Sequence, residues 1–197
     1  MSDAVADFVA VMRRLRAECP WKQEQTHRSL ARYLLEETHE TLEAIDSGDM
    51  QHLGEELGDL LLQVVFHAVI AEESGAFTLE DVARGITDKM RRRNPHVFDP
   101  SDDAGDLTAD EVNDLWQQVK AEEKAAHTDP LEGIPTTLPA LLYADKVLDR
   151  LARAGRDVTP DPASGDLGER LLALVAEARA AGADPEQELR DAVRRLL

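Results

Sequence analysis

One stretch limits what this chain can become: Leu34 to Ala71, LLEETHETLEAIDSGDMQHLGEELGDLLLQVVFHAVIA. It holds two acidic patterns, E-E-x-x-E at Glu36, Glu37 and Glu40, and E-x-x-D at Glu56 and Asp59. Ser47-Gly48-Asp49 between them is a turn signal, so the stretch reads as a helical hairpin. Residues three or four apart share a helix face. Glu37 with Glu40 and Glu56 with Asp59 therefore form two carboxylate pairs that converge across the hairpin. Four facing carboxylates repel one another, and their oxygens are hard ligands. A divalent cation, magnesium first, is the natural occupant.

The rest of the composition narrows the setting. Forty acidic residues against 22 basic ones give a net charge of -18. A nucleic-acid or anionic-membrane surface needs clustered Lys and Arg, so neither is expected as a partner. The apolar fraction of 43% supports a true core. Cys19 is the single cysteine, which rules out an internal disulfide and fits a reducing compartment. The opening MSDAVADFVAVMRRL is an amphipathic helix rather than a signal peptide. No apolar run reaches the roughly 18 residues of a membrane span. The expectation is a soluble, cytoplasmic protein.

Helical periodicity runs through the whole chain, and no segment shows strand alternation, so the fold class is all-α. Val5, Phe8, Val9, Met12 and Leu15 mark a first helix over 3–18, stopped by Cys19-Pro20-Trp21. A loop leads to a second helix at about 29–46, capped by Thr26 or Ser29. Asp49 caps a third, at about 49–74, whose stretch Leu60 to Ala71 is apolar nearly all round. A helix without a polar face is buried on every side. One small chain can hardly do that, which points to a subunit interface and a homodimer. Thr78-Leu79-Glu80-Asp81 reads as a capping box opening a fourth helix that ends before Pro95. Residues 96–107 read as a loop, and Thr108 with Glu111 opens a fifth helix. A linker at 128–138 precedes a sixth helix from Pro139 to about Ala154. Two more, at about 166–181 and 184–197, close the chain. Asp166-Leu167-Gly168-Glu169 echoes Glu56-Leu57-Gly58-Asp59 with the acids exchanged.

Several residues carry chemistry only if the fold gathers them. Glu56 and Asp59 run directly into an apolar helix, where unpaired carboxylates are costly and a metal accounts for them. A di-iron bundle is the competing metal reading, because Glu36 and His39 match E-x-x-H. That architecture needs the motif twice, and the second pair has no histidine. Oxygen-only ligands favour Mg²⁺ or Mn²⁺. Lys89, Arg92 and Arg93 either complement a helix C-terminus or bind phosphate beside the metal. Trp116 and Lys120, one turn apart, are either a packing aromatic with a surface lysine or a base-stacking and phosphate pair. His67 reads as a core or interface histidine, and His27 and His52 receive no role.

Assembled, these residues resemble the MazG nucleoside triphosphate pyrophosphohydrolase family. The likeness covers about residues 8–155. It is carried by CPWKQEQTH (19–27), YLLEETHE (33–40), GEELGDLLLQVVFHA (54–68), DKMRRRNPHVF (88–98) and WQQVKAEEK (116–124). The resemblance implies an all-α, usually dimeric enzyme that cleaves nucleoside triphosphates between the α- and β-phosphates with Mg²⁺. It implies metal binding by Glu37, Glu40, Glu56 and Asp59, with Glu36 supporting them. It also implies triphosphate contacts by Lys89 and Arg93, aided by Arg92, and nucleotide contacts by Trp21, Trp116 and Lys120. Glu36 or Glu37 orients the attacking water on this reading. A lysine found one turn before the E-x-x-D glutamate in active copies is His52 here. Longer relatives carry two copies of the domain, so the resemblance implies a catalytic domain over 1–130, a linker and connecting helix over 131–165, and a truncated second copy over 166–197. The rivals are a narrower dUTP, dCTP or phosphoribosyl-ATP pyrophosphohydrolase and a catalytically silent nucleotide-binding or regulatory protein.

Overall fold

Proline, glycine and short polar side chains punctuate the chain where backbone groups need partners, and the helices follow from them. The computed structural model describes residues 4–99, 108, 111–113, 115–116, 119 and 129–196. Among the described residues there is no strand, so the all-α expectation holds. The described residues divide into two compact units, Met1–Trp116 and Gln117–Leu197.

The first unit is built on an antiparallel hairpin of α3 (His27–Ser47) and α4 (Met50–Glu73). Thr26 and Ser29 start α3 with a reciprocal capping box, so both candidate caps are used. Gly48, at φ 72°, ends it in the left-handed conformation that favours glycine. Asp49 then accepts from the amides of Gln51 and His52 and starts α4. The whole turn is thus two residues long, which holds the helices side by side.

Helix α1 (Ala4–Glu18) lies against α4, tied at its surface by Arg13 to Glu72 at 3.0 Å and Arg16 to Glu73 at 2.7 Å. Met12, Leu30, Val65, Phe66 and Val69 form the buried core, with Phe8, Val9, Tyr33, Leu62, Ile70 and Leu79 packed around it. Helix α5 (Leu79–Arg93) opens with the expected capping box of Thr78 and Asp81.

Two segments read as loop are single helical turns instead, α2 (Pro20–Gln23) and α6 (Pro95–Phe98). Each begins on a proline, whose fixed φ and missing N–H suit the first helical position. Thr108 and Glu111 cap each other as expected, with Glu111 accepting from the Thr108 amide at 2.8 Å.

The second unit packs α7 (Ala140–Arg153), α8 (Leu167–Ala180) and α9 (Pro185–Arg194) around Leu148, Ala173 and Val175. Pro139 leaves α7 without a cap of its own, and Glu186 accepts from the Leu142 amide. Arg179 of α8 reaches Asp145 and Asp149 of α7. The Asp166-to-Glu169 echo serves the start of α8: Asp166 accepts from the Gly168 amide, and Glu169 from the Asp161 amide and the Ser164 hydroxyl.

Candidate active site

The hairpin turn sets the register that builds the site. With two residues between antiparallel helices, Glu37 on α3 comes level with Glu56 and Asp59 on α4. One oxygen from each of these three carboxylates lies within 4.8 Å of the others. Glu40, one turn further along α3, is hydrogen-bonded to Glu37. Burial pushes the Glu37 carboxyl up first, and the charges of Asp59, Glu40 and Glu56 add to it. Like charges at such a separation repel by roughly 3 kcal/mol per pair near a protein surface. Among the described residues no Lys or Arg is paired with Glu37, Glu56 or Asp59.

Glu56 tests whether a cation fits. Its side chain is 13% exposed, and Oε1 is held by His52 Nε2 at 3.0 Å. Oε2 is buried with no hydrogen-bond partner. A buried carboxylate oxygen left unpaired beside two more carboxylates is the donor set a hard divalent cation requires. The residues present fit the metal.

A match to the MazG nucleotide pyrophosphohydrolase domain spans residues 25–98, which include all four carboxylates. The chain is 42% identical over 193 residues to a nucleoside triphosphate pyrophosphohydrolase of Escherichia coli, covering 93% of this chain and 72% of the relative. It is 36% identical to the nucleoside triphosphate pyrophosphohydrolase/pyrophosphatase MazG of Thermotoga maritima, covering 97% of this chain and 82% of the relative. The chain belongs to the MazG family. An uncharacterised 26.1 kDa protein of Streptomyces cacaoi is 45% identical over 188 residues, 94% of this chain and 76% of that one. The crystal structure of a MazG-related protein from Thermotoga maritima superposes with a TM-score of 0.50 at 24% identity, covering 58% of this chain and 97% of that one. That likeness shows the shared MazG fold.

Within this MazG domain the other expected residues fall in different places. Glu36 is exposed and paired with Arg32 at 3.1 Å, one turn back on α3. Lys89 is half-buried and Arg92 exposed on the last turns of α5. Arg93 is buried, 7% exposed, and its guanidinium lies 5.1 Å from the Trp116 ring. Two residues expected separately on the substrate side are thus stacked on each other. Trp21 stands edge-on to Tyr33. Lys120 lies outside the described residues.

Two features were not expected from the sequence. His52, given no role, holds Glu56 of the carboxylate cluster. His27 and His67 bring their Nδ1 atoms to 2.7 Å with the rings stacked nearly parallel. Burial lowers the His67 pKa, and His27 lowers it further. The signal was present in the register: an antiparallel pairing that sets Glu37 between Glu56 and Asp59 carries His27 to the level of His67.

Proposed function

We propose that the protein is a nucleoside triphosphate pyrophosphohydrolase, cleaving its substrate to the monophosphate and pyrophosphate. One observation carries the proposal: three carboxylate oxygens within 4.8 Å, one belonging to a glutamate whose second oxygen is buried and unpaired. Glu37, Glu40, Glu56 and Asp59 would hold the divalent cation, Mg²⁺ with Mn²⁺ as a substitute. Bound there, the cation supplies Lewis-acid polarisation of phosphate oxygens.

The chain's own residues do the remainder. Glu36 or Glu37 orients a water toward the α-phosphorus and accepts its proton. The bond from that phosphorus to the bridging oxygen breaks, and the electron pair leaves with pyrophosphate. Lys89 and Arg93 offset the charge gathering on that leaving group. Arg93 is suited to this, since a guanidinium held on an aromatic face keeps its fork of donors oriented. Trp21, Trp116 and Lys120 contact the nucleotide.

The domain works as a homodimer. Leu57, Leu61 and Val64 on α4, with Leu34 and Ile45 on α3, stay exposed beside the carboxylates, and an apolar stripe of this kind on adjacent helices marks an interface. The activity belongs in the cytoplasm, where it removes unwanted nucleotides from the pool. Residues 166–197 are a truncated second copy of the domain, retained for packing.

Pyrophosphate release from a panel of ribo- and deoxyribonucleoside triphosphates, with Mg²⁺, Mn²⁺ or EDTA, tests the proposal. Metal-dependent release of equal amounts of monophosphate and pyrophosphate is expected. Binding without turnover would mean a silent nucleotide sensor. Turnover of one pyrimidine triphosphate or of phosphoribosyl-ATP alone would mean a narrower enzyme.

A further inference from the structure

The segment Cys19 to Gln25 runs up to the start of the matched family segment, and it is fixed more firmly than a connecting turn needs. Arg16, itself paired with Glu73, donates to the carbonyls of Lys22 and Gln25. The Gln25 side-chain amide donates to the Trp21 carbonyl at 2.9 Å, and the Gln23 side-chain amide donates to the Ala17 carbonyl. These bonds hold two side chains in unusual settings. Trp21 is 49% exposed, with its ring at 77° to Tyr33 and 6.0 Å from it. The Lys22 ammonium lies 5.0 Å from the centre of the Phe66 ring and 5.5 Å from that of Trp21.

In a chain with 40 acidic residues, no carboxylate among the described residues pairs with the ammonium of half-buried Lys22. It has given up part of its water to lie against aromatic faces, and its three donors are unspent. The location is informative as well. Tyr33, which Trp21 touches, precedes Glu37 by one turn on the same face of α3, about 6 Å along the axis. An exposed aromatic face and an unspent cation thus stand one step beyond the carboxylates, where a substrate held by its phosphates extends its nucleoside.

We infer that Trp21 and Lys22 form the base-recognition subsite. Trp21 stacks on the nucleobase, and Lys22 donates to an exocyclic carbonyl. This rests on the pyrophosphohydrolase reading above. Guanine O6 and the O4 of uracil and thymine are acceptors, whereas adenine N6 and cytosine N4 are donors at the corresponding positions. Lysine donates only. Facing an amino group, the ammonium leaves two donors unpaired, which is the kind of mismatch that discriminates strongly. The subsite therefore favours 6-oxopurine and 4-oxopyrimidine triphosphates over their amino counterparts.

The test compares kcat/KM for GTP and UTP with that for ATP and CTP, in the wild type, Lys22→Met and Lys22→Arg. Methionine keeps an apolar stem against Phe66 without the donors, and arginine keeps donors. We expect the wild type to prefer the oxo bases by about tenfold, the scale of one hydrogen bond from a charged donor. Lys22→Met should collapse that ratio toward unity, and Lys22→Arg should retain most of it. A ratio unchanged in Lys22→Met, whether rates stay level or fall together for all four bases, overturns the inference. Wild-type turnover of any triphosphate answers the underlying reading separately. If there is none, calorimetric titration of the wild type and Lys22→Met with GMP and AMP still decides: tighter binding of GMP by the wild type, lost in Lys22→Met, supports the subsite, and equal affinities overturn it.

Discussion

His52 Nε2 lies 3.0 Å from Glu56 Oε1, one helical turn away on α4, and leaves the other oxygen of Glu56 buried and unpartnered. The imidazole fixes one oxygen so that the second is presented in a single orientation. Groups that orient a metal-binding carboxylate commonly contribute 10–100-fold to metal affinity. His52→Ala should therefore weaken Mn²⁺ binding by about tenfold, read from the free-ion signal in electron paramagnetic resonance. His52→Gln, which can still donate, should recover part of it. Equal affinities in all three proteins would show that Glu56 needs no orienting partner.

Asp59→Ala should abolish hydrolysis and yet raise the melting temperature measured without metal, by a few degrees. The reason lies in Glu37, whose pKa is raised by burial first and then by the charge of Asp59. A carboxyl with a raised folded pKa favours the folded state while protonated, and that stability is lost as pH rises from about 4.5 through the folded value. Removing Asp59 relieves part of the loss. A cation at 100-fold above its dissociation constant adds about 2.7 kcal/mol to the wild type. The variant should lose that gain, so the two melting curves cross on adding Mg²⁺. Parallel curves with and without Mg²⁺ would remove Asp59 from the site.

How much of this was legible in the sequence differs from residue to residue. Caps were legible because their chemistry is local: Thr26, Asp49, Thr78 and Thr108 each satisfy an amide two or three residues away. The carboxylate cluster was legible because a two-residue turn converts two local spacings into one tertiary register. The single turns after Cys19 and Asn94 were not, since a proline that ends one helix also starts the next. The His27–His67 contact and the Lys22 setting depend on side chains 40 and 44 positions apart in the chain. Periodicity assigns such residues to a face, and only packing decides which neighbour each one meets.

The exposed stripe Leu57, Leu61 and Val64 makes a prediction about assembly. Leu61→Arg places a charge on that stripe without touching the buried core. A desolvated, unpaired charge at the centre of an interface costs several kcal/mol. Light scattering at micromolar concentration should give a dimer for the wild type and a monomer for Leu61→Arg. If the wild type is itself a monomer across that range, the stripe is not a dimer interface.

In the second unit, burial pushes the Asp149 carboxyl up, and hydrogen bonds from Arg153 and Arg179 outweigh it, so its pKa lies below the ordinary 3.8. A depressed folded pKa contributes stability that is complete above the unfolded value and lost as pH falls through the folded one. Arg179→Ala should cost roughly 1–2 kcal/mol at pH 7, as expected for a partly buried, charge-assisted hydrogen bond. The difference from the wild type should shrink as pH falls below about 3.8. Chemical denaturation at pH 7 and pH 3 checks it, and a gap that is constant or widens in acid would assign the Arg179 effect to packing.

The last prediction concerns Asp166 and Glu169, whose spacing echoes the carboxylate pair Glu56 and Asp59. In the second unit both carboxylates are already engaged. Asp166 accepts from the Gly168 amide at 2.7 Å as the cap of α8, and Glu169 accepts from the Asp161 amide and the Ser164 hydroxyl. Two carboxylates on one helix, with no opposing pair among the described residues, also leave most of a magnesium shell to water, which Mg²⁺ surrenders reluctantly. Asp166→Ala should therefore act as the loss of a helix cap, costing about 1 kcal/mol of stability in this unit. Metal affinity and kcat should not move, even with Glu169→Ala added. Deleting residues 160–197 removes the stripe of Leu171, Leu172, Leu174 and Val175, so it should lower solubility or stability while sparing the specific activity of the folded remainder. Loss of metal binding in a normally folded Asp166→Ala, Glu169→Ala protein would instead make the echo a second working half-site.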